Sequence, residues 1–208
     1  MEQRDDAGRE AGTPSGFPKN RIEALTDGIF AFAMTLLVLS LDVPAGLRDP
    51  SDTAIVTMLA NLVPDLFHYF LAFFILASFW VAHHAQVNRL RHIDRTYLWI
   101  NITALMFVTL VPFSVSLVGD YPGEIFAAIA FETNLLLLGL LFAVQWRYAV
   151  HEHRLIHPDT DLGRGKLRVM VVPAVSLIAI LLALAGWTWS TATYALIPLV
   201  MRFLPPGR

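Results

Sequence analysis

The sequence predicts an all-α integral membrane protein with six transmembrane helices per subunit. Three observations lead there. Hydrophobic residues make up 56% of the 208 and charged ones only 15%, with a mean hydropathy of +0.57, a balance suited to lipid and not to water. Apolar stretches long enough to cross about 30 Å of hydrocarbon recur along the chain. The basic residues also gather on alternate connections, the pattern of cytosolic loops.

Taken in order, residues 1–18 are polar, mix acids with bases and contain Gly, Pro and Ser. They read as a disordered cytosolic tail with no apolar core of a cleaved signal peptide. The first span is Arg21–Val43, with no charge between Asp27 and Asp42. At 1.5 Å per residue it is about 33 Å long as a helix. On a helical wheel Gly28, Phe32, Thr35, Leu39 and Asp42 share one narrow stripe. Rings of such residues suit a pore, and the same stripe equally suits packing against neighbouring helices, its commoner use.

A polar connection from Pro44 to Asp52 precedes an amphipathic piece at the membrane surface, then a second span at Leu66–Val87. The third span is Tyr97–Val118, followed by a tight turn over Gly119–Gly123. The fourth is Ile125–Val150, the fifth Val169–Gly186 and the sixth Thr188–Phe203. One six-helix domain over 19–204 results, with a cytosolic tail at 205–208. The first span's pattern does not recur, so the domain is not a duplication.

Placing both tails and the loops after spans two and four on one side gives that side fourteen Lys and Arg residues. The other side has Arg48 alone. That bias predicts a multi-pass protein of the cell membrane with both termini cytosolic. A formal net charge of −2 gives no basic field for nucleic acid, and the absence of cysteine removes thiolate chemistry. No Walker, GxSxG or dinucleotide motif occurs, so neither an enzyme nor a cofactor is expected.

Ionisable residues inside spans are costly and therefore functional candidates. Asp27 lies near the cytosolic end of span one as a buried polar anchor, its side chain too short to snorkel far. Glu132 is mid-span, equally suited to packing, water contact or ion contact. His83 and His84 are adjacent, so their rings point about 100° apart and share one metal ion poorly. Hydrogen bonding at the helix ends is their expected use, no metal site is expected, and His68 reads as a satisfied packing residue.

Arg21-x-x-x-Leu25-Thr26-Asp27 followed by Phe32-Ala33-Met34-Thr35-Leu36-Leu37-Val38-Leu39 resembles the first helix of the transmembrane protein 175 family of potassium channels. Phe79-Trp80-x-x-His83-His84 and Asp94-Arg95 are similar to that family's junction between second and third helices. The resemblance implies a homotetramer whose pore is lined by four copies of the first helix. It assigns the gate to Phe32 and Leu39, selectivity to Thr35 and the pore mouth to Asp42. It also implies a polar network of Arg21, Thr26, Asp27, His83 and His84. Leu25 stands where the family has Phe, and Phe32 where it has Ile or Leu.

The expected function is a potassium-permeable, weakly selective cation channel with a hydrophobic gate. Its partners would be copies of itself, the lipid bilayer and K⁺. The alternative is a proton-coupled or small-solute transporter using Asp27 and Glu132.

Overall fold

The computed structural model describes residues 18–41, 51–151, 155–156 and 162–203. The expected tails, apart from Pro18, and the pore-mouth candidate Asp42 lie outside the described residues. Among the described residues seven α-helices follow in order: α1 Lys19–Leu36, α2 Asp52–Asn61, α3 Val63–Val87, α4 Arg95–Asp120, α5 Ile125–Val150, α6 Leu162–Leu184 and α7 Ile197–Phe203.

Among the described residues five helical stretches are long and apolar enough to cross a membrane: α1 with its extension to Ser40, α3, α4, α5 and Leu167–Leu184 of α6. The sixth expected span is different. It begins as a 3-10 helix, Ser190–Leu196, and continues as the short α7, so its apolar stretch falls below span length. Side chains take backbone acceptors here: Thr193 Oγ1 donates to the Ser190 carbonyl at 2.7 Å, which competes with regular α-helix. Pro198 also removes a donor from the start of α7.

The first span runs Lys19–Ser40 where Arg21–Val43 was expected, and Val43 lies outside the described residues. α1 ends at Leu36 and tightens into a 3-10 turn over Leu37–Ser40, beyond which Leu41 is extended. Ser40 Oγ donates to the Leu37 carbonyl at 2.7 Å, taking an acceptor the next turn would use. Elsewhere the local chemistry fits the boundaries. Ser51 caps α2 by accepting from Ala54 N, Asp94 caps α4 by accepting from Tyr97 N at 2.8 Å, and Pro64 sits in the first turn of α3. Gly186, at φ 89°, stops α6: its N–H bonds the Ala183 carbonyl and that of Trp187 bonds Leu182.

α5 lies between α4 and α6, and α4 in turn carries α1 and α3. Lipid offers no hydrophobic drive between helices, so close packing of small residues holds them. Ala33, Ala72 and Ala104 are buried on α1, α3 and α4, which pack on one another, and Ala179 is buried on α6. Gly139 of α5 meets Pro173 of α6 so closely that a Cβ there would stand 2.8 Å from Pro173 Cδ.

One end of the bundle is pinned by polar contacts. Leu90 and Ile156 form an antiparallel bridge, Arg91 N donates to the Leu155 carbonyl at 2.7 Å, and Lys19 Nζ donates to the Leu90 carbonyl at 3.2 Å. The start of α1, the α3–α4 connection and the segment after α5 therefore share this end.

Candidate functional site

α1 presents two unlike faces. Ile22, Thr26, Phe30, Ala33 and Leu37 are buried against the rest of the chain. The opposite face is open: Phe32 is 64% exposed and Leu39 74%, with Gly28 and Thr35 exposed beside them. Thr35 Oγ1 donates to the Ala31 carbonyl at 2.8 Å. That bond uses the hydroxyl's one proton and leaves its oxygen able to accept, from water or toward a cation.

The inner face carries a polar network that joins four helices. Asn101 of α4 is its hub. Its Nδ2 donates to Thr26 Oγ1 on α1 at 3.1 Å. Its Oδ1 accepts from His83 Nε2 on α3 and from Gln145 Nε2 on α5, each at 2.9 Å. All four side chains are buried. An amide oxygen can only accept, so the His83 nitrogen facing it must carry a proton.

A second, outward pairing lies on the neighbouring residues. Trp80 Nε1 donates to Asp27 Oδ1 at 2.7 Å, and the Trp80 ring stacks on His84 with centroids 6.1 Å apart. Thus His83 turns inward and His84 outward, as their adjacency on a helix requires. Within one chain Asp27 meets an indole N–H where Arg21 or a histidine was expected. Arg21 is exposed at the first turn of α1, more than one helical turn before Asp27.

Sequence reasoning missed Asn101, Gln145 and Trp80. Two carboxamides inside otherwise apolar spans were the available signal, since such groups need partners in lipid.

Two other candidates fall elsewhere. His68 is bonded at both ring nitrogens, to the Pro64 carbonyl at 2.9 Å and Thr191 Oγ1 at 3.3 Å, as a packing residue would be. Glu132 is fully buried, and among the described residues neither carboxylate oxygen is hydrogen-bonded. Among the described residues no three His, Asp or Glu side chains converge to hold a metal ion.

Comparison with known proteins adds the family. The model of the endosomal/lysosomal potassium channel TMEM175 matches residues 21–112. A potassium channel of Chamaesiphon minutus is 31% identical over 151 residues, 71% of this chain and 74% of that one. The chain belongs to the TMEM175 family. A potassium channel of Streptomyces collinus is 28% identical over 145 residues, 68% of this chain and 69% of that one. The crystal structure of a lysosomal potassium-selective channel TMEM175 homolog from Chamaesiphon minutus superposes with a TM-score of 0.77 at 26% identity. That match covers 88% of this chain and 97% of the other. TMEM175 is an ion-channel family and not an enzyme family. Its matched region, 21–112, contains both faces of α1, the Trp80–His84 segment and Asn101.

Proposed function

We propose that this chain forms a potassium-permeable, weakly selective cation channel, a homotetramer in the cell membrane with α1 of each copy lining the pore. One observation carries the reading: α1 buries its Thr26 face inside the protomer and leaves Phe32, Thr35 and Leu39 uncovered on the other. Turned toward copies of itself around a water-filled axis, that face would present the Thr35 oxygen to water and ions between two apolar rings. The names of its relatives as potassium channels support the choice of ion.

In this reading rings of Phe32 and Leu39 form a hydrophobic gate. A narrow apolar ring excludes ions by dewetting, because K⁺ loses hydration there without replacement ligands. Conduction then requires the ring to widen. Thr35, its proton held by Ala31, offers an oxygen to the ion between the two apolar rings. Asp42 would raise cation concentration at the mouth.

The network of Thr26, His83, Asn101 and Gln145, with the Asp27–Trp80 pair, acts as scaffold, holding α1 against α3 and α4. Arg21 and His84 complete the polar end toward the cytosol. The stretch from Ser190 to Phe203 spans about 25 Å, because its 3-10 turns rise faster than α-helix. With modest local thinning it completes the sixth crossing and brings both termini to the cytosolic side.

The test is flux from liposomes holding the purified protein, with K⁺, Na⁺ and H⁺ gradients compared. K⁺ flux exceeding Na⁺ flux, from a particle of four-subunit mass, is the expected result. Absence of K⁺ flux from an assembled tetramer refutes the proposal. The second reading is proton-coupled or small-solute transport, favoured by the buried Glu132. It predicts H⁺ movement that disappears in Glu132→Gln.

A further inference from the structure

A groove of about 410 Å³ opens on the outside of the protomer between α3, α5 and α6, away from the α1 stripe. Its walls are mainly apolar, from Phe74 and Ala82 on α3 to Phe142 on α5, and among the described residues no carboxylate lines it. Charged groups collect at one end. Arg89 follows the last turn of α3 and stacks over the Trp146 ring at 5.5 Å. Arg168, early in α6, lines the same end. Between them and the apolar part lies Gln86, only 4% exposed. Among the described residues its Nε2 has no hydrogen-bond partner. A buried amide donor without an acceptor is costly in an apolar medium, so a ligand oxygen there would be stabilising.

We propose that this groove binds one phospholipid with a net anionic headgroup. Its acyl chain lies along Phe74 and Ala82. Its phosphate sits between Arg89 and Arg168, and Gln86 Nε2 donates to a phosphate or glycerol-ester oxygen. Charge selects the headgroup, because two guanidinium groups line the same end of the groove. Position agrees as well, since this is the arginine-rich end where phosphates of the cytosolic leaflet would lie.

The experiment is native mass spectrometry of the full-length protein released from detergent with phosphatidylglycerol or phosphatidylcholine at equal concentration. Phosphatidylglycerol is expected to stay bound about tenfold better, saturating at one per subunit. Arg89→Ala with Arg168→Ala should abolish that preference, and Gln86→Leu should weaken it. Ala82→Trp, which touches no charge, should fill the apolar part and exclude both lipids. Arg202→Ala, basic but outside the groove, should change nothing. The same spectra report subunit mass, so a misassembled arginine variant is recognised, and Ala82→Trp then decides. Equal retention of both lipids, or unchanged phosphatidylglycerol retention in Ala82→Trp, overturns the proposal. So does an Ala82→Trp protein whose subunit number changes, which would assign the groove to a second copy of the chain. Ion flux does not enter the test, so its outcome is independent of the channel reading.

Discussion

Trp80 donates its indole N–H to the Asp27 carboxylate at 2.7 Å, fastening α3 to α1 one residue away from the buried Thr26 contact. Both partners are partly open to the surroundings, so the bond contributes about 1 kcal/mol rather than the larger value of a buried charged pair. Trp80→Phe, which keeps a ring but removes the donor, should lower thermal stability by that amount. Asp27→Ala should impair assembly more than it alters ion preference. The double variant should cost less than the sum, and additive losses in a melting-curve cycle would refute the coupling.

Asn101 holds more. Replacing it with Leu leaves Thr26, His83 and Gln145 unpaired in an apolar interior, at a cost of about 2–3 kcal/mol. Thr26→Val removes one bond and should cost less than 1 kcal/mol. Heating the detergent-solubilised protein and following the intact oligomer by size exclusion ranks the two. A tie between them would mean that Asn101 is not the hub.

Gly139→Ala should destabilise by about 1–3 kcal/mol, because the new Cβ meets the rigid Pro173 ring. Pro173→Ala should relieve it, so the double variant is expected to melt above Gly139→Ala alone. If the alanine at 139 melts like the parent protein, α5 and α6 have room to part.

At the proposed gate, Phe32→Asn should raise basal cation flux, with Leu39→Asn raising it less, because polar lining lowers the dewetting barrier. Thr35→Ala should narrow the preference for K⁺ over Na⁺ in an intact tetramer. Thr35→Val keeps the shape and removes the oxygen, separating chemistry from packing. Unchanged flux in both asparagine variants would take α1 out of the pore.

Glu132 has no cationic partner among the described residues, so any charge there adds nothing to the fold. Glu132→Gln is expected to assemble normally and melt no lower than the parent. K⁺ flux should persist, and a drop in K⁺ flux alone would draw Glu132 into the conduction path.

Much of this architecture can be read in the residues. Ile125–Val150 is bounded by a Gly-containing turn and a polar loop, and α5 has those same limits. The 4-3-4 spacing of Gly28, Phe32, Thr35 and Leu39 marks one side of α1, and those four residues are exposed together. What could not be read depends on contacts in space. The loss of the last helical turn before Asp42 comes from a Ser40 side chain choosing its own backbone. The shortened final apolar segment reflects hydroxyl-rich residues 190–194, whose partners lie locally, on α3 and on α6. Asn101 and Gln145 are 44 residues apart, and nothing local marks one amide as the other's partner.

The Thr26–Asn101 bond also bears on how the chain enters the membrane during synthesis. The two residues are 75 positions apart, so α1 meets the insertion machinery before α4 has been made. A threonine can wait, because its hydroxyl can bond its own helix backbone and costs little in lipid. An asparagine or glutamine cannot do so as cheaply. The network places its mildest polar group on α1, made before α3, α4 and α5, and its carboxamides on α4 and α5, which follow it. Exchanging the two, with Asn at 26 and Thr at 101, would preserve the pairing on paper while burdening the earliest insertion step.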